Sequence, residues 1–155
     1  MCLTIDKEKT KKMSKKTGEV TIWKVYLVIG KNVFPPVQSY AKNIHQGMII
    51  SDRVNKGIKK DYHDYLFGSI GIVEIARGIH VMLTREKARQ YKKELGEINS
   101  GEKYVIMRCR AKMSDFVATG TTCYSANNWI HKSAVFMKIH VSKTDWKKSL
   151  NGDFR

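Results

Sequence analysis

The sequence predicts a single α+β domain: an antiparallel or mixed β-sheet, one main helix at about 85–95, and a short C-terminal helix. Three observations carry this. A chain of 155 residues with 42% hydrophobic content suits one domain with a real core. Most apolar stretches are short, β-branched and bounded by Gly or Asn, as strands are. One stretch, Ala76 to Gly96, has a helical period with a start and a stop signal. The division read from composition is a basic N-terminal arm, 1–18, followed by the domain proper, 19–155.

The arm opens with Met-Cys-Leu-Thr-Ile, an edge-strand candidate, and runs into Lys7, Lys9, Lys11, Lys12, Lys15 and Lys16. A like-charge block of this kind stays solvated, as a short helix or a mobile arm able to contact phosphates. Thr4 or Asp6 can start a helix, and Thr17-Gly18 stops it. Val20 to Ile29 is a strand by composition, and Gly30-Lys-Asn32 is a turn. Val33 to Tyr40 is a hairpin partner confined to an edge or loop, because Pro35-Pro36 removes two backbone donors. Gly47 to Arg53 is a further short strand. In Lys59 to Ile75, His63 lies between Asp61-Tyr62 and Asp64; adjacent strand residues point to opposite faces, so a loop is favoured over a metal site. Gly71 to Ile75 leads as a strand into the central stretch.

In that stretch Gly78 frees the backbone to turn and Ile79 to Leu83 is a mostly buried strand. Thr84 caps the helix, with Glu86 near its positive end. Ala88, Tyr91 and Leu95 form an apolar stripe, and Gly96 ends the helix. Lys103 to Ala111 is a strand whose set Val105, Met107, Cys109 and Ala111 faces the core. Asp115 to Thr119 is a short strand, Gly120 to Asn128 a polar loop, and Lys132 to Ser142 the last strand. Ser142-Lys-Thr-Asp145 has capping-box spacing before a short helix, Trp146 to Leu150.

Charge is the strongest global fact. Lys and Arg number 29 against 14 Asp and Glu, a formal net charge of +15. Such a chain expects polyanionic partners: nucleic acid, a phosphorylated ligand or an acidic protein surface. No apolar run reaches membrane-span length and the first residues lack a signal-peptide core, so the expectation is a cytoplasmic protein without a membrane partner. Cys2, Cys109 and Cys123 have no metal-like spacing; one disulfide is allowed by the count, and free thiols in a reducing compartment are the reading taken, with Cys2 in a mobile end. No cofactor and no metal are expected.

Alternation places cations and aromatics together on the second face of three strands: Lys24 and Tyr26; Tyr104, Arg108 and Arg110; Phe136, Lys138 and His140. If the strands are neighbours, these faces join into one basic, aromatic surface. Cations then neutralise phosphates while rings stack on bases, each stack contributing about 1–3 kcal/mol. Arg85 and Arg89 at the helix start extend the candidate phosphate-binding set, and Trp129, in the loop Tyr124 to His131, is an outlying candidate. Catalysis has weaker support. His80, His131 and His140 are candidate bases and Ser125 or Thr121 candidate nucleophiles, but no spacing selects a set, and His80 in its apolar strand reads as a paired core histidine.

The opening Met-Cys-Leu-Thr, the Trp-Lys-Val-Tyr strand, Arg-Gly-Ile-His-Val-Met-Leu-Thr-Arg-Glu-Lys-Ala, Val-Ile-Met-Arg-Cys-Arg-Ala and Val-Phe-Met-Lys-Ile together resemble a group of small uncharacterised proteins of bacteriophages and gut bacteria. The resemblance implies a phage accessory protein acting in the host cytoplasm on nucleic acid or on host defence, by inhibiting a nucleic-acid-guided nuclease or sequestering a nucleotide signal. Gly78, Ile79, His80, Ala88 and Tyr91 are similar to the strand-and-helix segment of ADP-ribosyltransferase-like folds. That chemistry lacks its early Arg or His, since the first long strand offers only Trp23, Lys24 and Tyr26, and no late catalytic Glu is in place. The expected function is therefore a non-enzymatic basic binding protein for nucleic acid or a nucleotide or polyphosphate ligand. The alternatives are inhibition of a host defence nuclease through an acidic surface, and an ADP-ribosyltransferase-like enzyme. Oligomeric state is left open.

Overall fold

The computed structural model describes residues 2–36, 47–50, 59–60, 73–75, 78–124 and 129–155. In chain order the elements are β1 (Cys2–Ile5), α1 (Lys7–Ser14), β2 (Glu19–Ile29), β3 (Asn32–Phe34), β4 (Gly47–Ile50), β5 (Lys59–Lys60), β6 (Val73–Ile75), β7 (Ile79–Met82), α2 (Arg85–Ile98), β8 (Lys103–Lys112), β9 (Phe116–Tyr124), β10 (Trp129–Phe136), β11 (Lys138–Val141) and α3 (Lys143–Asn151). The strands form one sheet in the order β4-β11-β8-β2-β7-β10-β9-β1-β6-β5, with β3 also paired to β2. Every strand pair among the described residues is antiparallel. The α+β class is as expected, with three helices among the described residues rather than two.

The N-terminal residues are part of this fold. β1 does not lie at an edge: it pairs with β9 on one side and β6 on the other. Cys2, expected in a mobile end, is a β1 residue in register with Cys123. The lysine run forms α1, capped by Asp6, whose carboxylate accepts from Lys9 N–H at 3.0 Å. Thr10 ties this helix down by donating to the Thr119 carbonyl at 3.0 Å and accepting from Thr119 N–H at 3.1 Å. Close approach of β1 to β9 requires Gly120, because a Cβ there would lie 1.9 Å from the Thr4 carbonyl oxygen.

β2 and β8 are the longest pair and set the two sheet faces. On one face Ile22, Tyr26, Met107, Cys109 and Ala111 join Val81, Phe136, Ile139 and Val141 in the larger core. On the other, Val25, Tyr104, Ile106 and Met82 pack under Ala88, Tyr91 and Leu95 of α2. The predicted stripe of α2 is therefore its buried face, and Thr84 caps it as expected, accepting from Lys87 N–H at 3.3 Å. Gly96 does not end the helix. α2 continues to Ile98, and Asn99 N–H closes the last turn on the Leu95 carbonyl.

Two strand boundaries differ from the sequence reading. β9 runs on through Tyr124, across Thr-Thr-Cys-Tyr that composition assigned to a loop, because β1 and β10 pair with its two edges. The last predicted strand is two strands, β10 and β11, broken at Met137, whose N–H donates to the Asp115 carbonyl at 2.8 Å. A register shift at Val135/Phe136 accompanies the break. That shift leaves Val117 of β9 as the extra residue, and β10 still alternates through Ala134 and Phe136; the break at Met137 changes the phase, so Phe136 and Ile139 share one core although an odd number of positions separates them. α3 starts at the predicted cap: Ser142 Oγ accepts from Asp145 N–H at 3.0 Å. The segment around His63 and the residues of Gly47 to Arg53 beyond Ile50 lie outside the described residues.

Candidate functional site

The three strands expected to share a basic aromatic face do not share it. Register places Lys24 opposite Met107 and Tyr26 opposite Val105, on the larger-core face. Tyr26 is fully buried, and burial pushes its phenol well above the ordinary range. Lys24 runs its stem through the same face and donates from Nζ to the His80 carbonyl at 2.7 Å, 5.5 Å from the Tyr26 ring centre. Burial lowers its pKa to about 8. Phe136 is also core, on the same face as Ala134. Tyr26 is thus a core residue and Lys24 a half-buried one on the same face, so neither stands on the face that carries Arg108 and Arg110. The error is one of phase: both strands alternate, but the same-face partners of Lys24 belong to the apolar set of β8.

Arg108 does face the other way, with Trp23 as its register partner, but it is engaged. Its Nε and Nη2 lie 2.9 and 2.7 Å from Asp145 Oδ1, and its guanidinium stands 5.7 Å from the Phe154 ring centre. Arg85 and Arg89 are engaged too. Arg85 Nη2 donates to the carbonyls of Asp153 and Arg155 at 3.4 and 3.3 Å, and Arg89 Nε donates to the Arg155 carbonyl. These arginines hold the C-terminal residues against α2. Trp129 opens β10 in register with Tyr124, and the rest of its loop, 125–128, lies outside the described residues.

Arg110, Lys138 and His140 are the predicted residues that the fold brings together in the open. His140 and Arg110 are cross-strand partners, Arg110 is also opposite Thr21, and all three predicted residues are exposed. Lys112 follows two positions along β8 on the same face, opposite Glu19, and is exposed as well. The face beyond α2 and α3 is therefore a row of four basic side chains: Lys138, His140, Arg110 and Lys112. At its Lys112 end lies a cavity of about 410 Å³ lined by Ser14, Lys16, Thr17, Glu19, Lys112 and Ser114 among others. α1 stands next to it, and Lys7, Lys9, Lys11, Lys12, Lys15 and Lys16 are all exposed. Exposed cations keep their hydration until a ligand arrives, so pairing them with phosphates carries no standing cost of burial. The hydroxyls of Thr17 and Ser114 add hydrogen-bond donors of the kind phosphate oxygens accept.

Sequence reasoning missed Lys112 and the cavity. The predicted strand stops at Ala111, one residue short of Lys112. The cavity exists because the α1–β2 turn folds beside the end of β8, a long-range approach with no local signature.

The histidines divide. His140 is exposed. His131, expected in a loop, is a β10 residue that is 3% exposed, with Nε2 2.6 Å from Glu94 Oε2. That approach is off the hydrogen-bonding direction, so it is a close contact rather than a hydrogen bond. The Tyr91 ring packs edge-on against it, centres 5.0 Å apart. His80, expected to be paired, has both ring nitrogens buried without a hydrogen-bond partner among the described residues. Burial, with Lys24 as the next cause, lowers its pKa to about 3, so its ring is neutral. Cys109 Sγ is buried and its pKa is pushed up to about 12, chiefly by burial, which makes it an inert thiol.

Among the described residues no group of three His, Cys, Asp or Glu side chains is arranged to hold a metal ion, and no helix is long and apolar enough to cross a membrane. Comparison with protein-family models, with curated proteins and with solved structures finds no match for this chain.

Proposed function

We propose that this chain is a non-enzymatic binding protein for a polyanion, nucleic acid first among them, and that it binds through the basic row of Arg110, Lys112, Lys138 and His140 and the adjoining lysines of α1. The observation that carries the reading is the exposed row itself. Four basic side chains on two paired strands stand side by side, with Glu19 at their margin. A net charge of +15 adds a long-range field that draws polyanions toward the whole molecule. A nucleotide or short polyphosphate is the smaller ligand of the same chemistry, suited to the cavity at Lys16 and Lys112. The resemblance to small phage proteins extends the proposal to counter-defence, with a nucleic-acid-guided nuclease or a nucleotide signal as the target system.

The test is titration of fluorescent single-stranded DNA, double-stranded DNA and RNA oligonucleotides at several salt concentrations. Binding at low salt whose log affinity falls linearly with log salt supports the reading. No binding to any of the three at low salt, with no nucleic acid or nucleotide co-purifying, overturns it.

A further inference from the structure

Three members of the exposed row, Arg110, Lys112 and Lys138, are arginine or lysine, and the fourth, His140, is a histidine. Arginine and lysine ordinarily keep their charge from about pH 5.5 to about pH 7.5, whereas an imidazole gains or loses its charge in that window. His140 stands among the other three. It is the cross-strand partner of Arg110, and such partners have Cα atoms about 4.5 or 5.5 Å apart. Lys138 lies two positions back along β11 and Lys112 two positions on along β8, so both flank this pair on one side and on the same sheet face. Two positions along a strand are about 7 Å. Neighbours in the row thus stand within about one Debye length of each other at physiological salt, about 8 Å. Around them, β2 sets Thr21 opposite Arg110 and Glu19 opposite Lys112, β4 sets Met48 in register with His140, and α3 begins with exposed Lys143. Asp145 of α3 is committed to Arg108. Among the described residues neither carboxylate pairs with His140, whose exposed ring is open to an anion from solvent.

Given the polyanion reading of the row, on which this rests, we propose that a phosphate chain bound there takes up a proton at His140, so that the grip on the chain tightens as pH falls. A chain laid across Arg110 and Lys138 brings negative charge against the imidazole between them, and an opposite charge close by favours the protonated ring. The proton passes from solvent to the unprotonated ring nitrogen and returns to solvent when the ligand leaves. Coupling of this kind is reciprocal: a ligand that favours the proton is favoured by it. The protonated ring adds both a charge and a second N–H donor for phosphate oxygen. The row therefore offers three cations at the upper end of the window and four at the lower end. His80 and His131 do not share this role, since the ring of His80 is buried and neutral and His131 is covered by Tyr91 of α2.

A fluorescent DNA duplex without terminal phosphates is titrated with the full chain at about pH 5.5 and about pH 7.5, over a series of salt concentrations at each. The affinity is expected to be roughly two- to fivefold higher at the lower pH, the strength of one exposed ion pair. The slope of log affinity against log salt is expected to be steeper there by about 0.9, the value of one further neutralised phosphate. His140→Gln is expected to remove both differences, and His140→Lys to give the steeper slope at both pH values. In NMR spectra the His140 ring signals are expected to titrate at higher pH with the duplex present than without it. Equal slopes and affinities at the two pH values, or a pH difference that survives in His140→Gln, would overturn this inference and leave the polyanion reading standing. No binding at either pH would overturn that reading, and this inference with it.

Discussion

Arg108 and Asp145 join β8 to α3: Nε and Nη2 of the arginine lie 2.9 and 2.7 Å from one and the same carboxylate oxygen. The other oxygen accepts from Ser142 Oγ at 2.8 Å, while Asp145 N–H donates back to that hydroxyl at 3.0 Å. Asp145 is thus both a capping-box residue and the buried half of an ion pair, with its side chain 6% exposed. Removing the carboxylate takes away charge-assisted hydrogen bonds and part of the cap. Asp145→Ala is expected to lower stability by roughly 2–3 kcal/mol, read by urea unfolding. Arg108→Ala leaves the carboxylate without its cation and is expected to cost about 1–2 kcal/mol. Loss of polyanion affinity without loss of stability in Arg108→Ala would return this arginine to the binding face.

The open row and the half-buried Lys24 make opposite predictions. Arg110→Glu and Lys138→Glu are expected to weaken oligonucleotide binding and to reduce the salt slope by about one for each phosphate-pairing cation removed. Lys24→Met removes a cation of equal formal charge from a half-buried position on the core face, where its Nζ is held by the His80 carbonyl, and is expected to leave the slope unchanged. A titration in which Lys24→Met and Arg110→Glu behave alike would show that bulk charge, and not the row, governs binding.

His80 predicts an acid limb in the stability profile. Its pKa is lowered from the ordinary 6.5 to about 3 in the folded chain. Between these values the unfolded state binds the proton and the folded state does not, so stability falls as pH drops from about 6.5 toward 3. Above the unfolded value the ring is neutral in both states and contributes no slope. His80→Leu is expected to flatten that limb in thermal melts taken at successive pH values, and an unchanged limb would assign it to other groups.

Gly120 predicts a steric failure. Since its added Cβ meets the backbone of Thr4 and not a movable side chain, Gly120→Ala must push β1 away from β9. The expected cost is roughly 1–3 kcal/mol or more, with the earliest amide exchange along β1. Uniform destabilisation without faster β1 exchange would count against the local account.

Much of this fold is legible in the residues. Thr84, Ser142 and Asp145 announce their helix starts, the α2 stripe is the buried one, and Val105 to Ala111 alternates into the core as patterned. What the residues conceal has common physical causes. Alternation assigns a strand two faces but not which face of its neighbour each one joins, so Lys24 and Tyr26 are placed on the face of Arg108 and Arg110 when they lie on the other. A sheet covered by α2 on one side and folded core on the other buries much of both sets of β8, so Tyr104 and Ile106 are also interior although they belong to the set read as outward. The break at Met137 reverses the phase in mid-run without a glycine to signal it. Of the candidate site, Arg110, Lys138 and His140 are legible; Lys112 and the α1 neighbourhood follow only from long-range pairing.

The interior position of β1 also bears on the order of assembly. Its partners, β6 and β9, lie far along the chain, and Leu3 meets Thr122 across most of its length. Closing so long a loop carries an entropic cost before any pairing repays it, and topologies dominated by such pairings fold slowly. During synthesis β1 precedes β9 and is without that partner until β9 has been made. The lysines of α1 follow β1 directly, and charge beside an unpaired strand is the pattern that opposes edge-to-edge association.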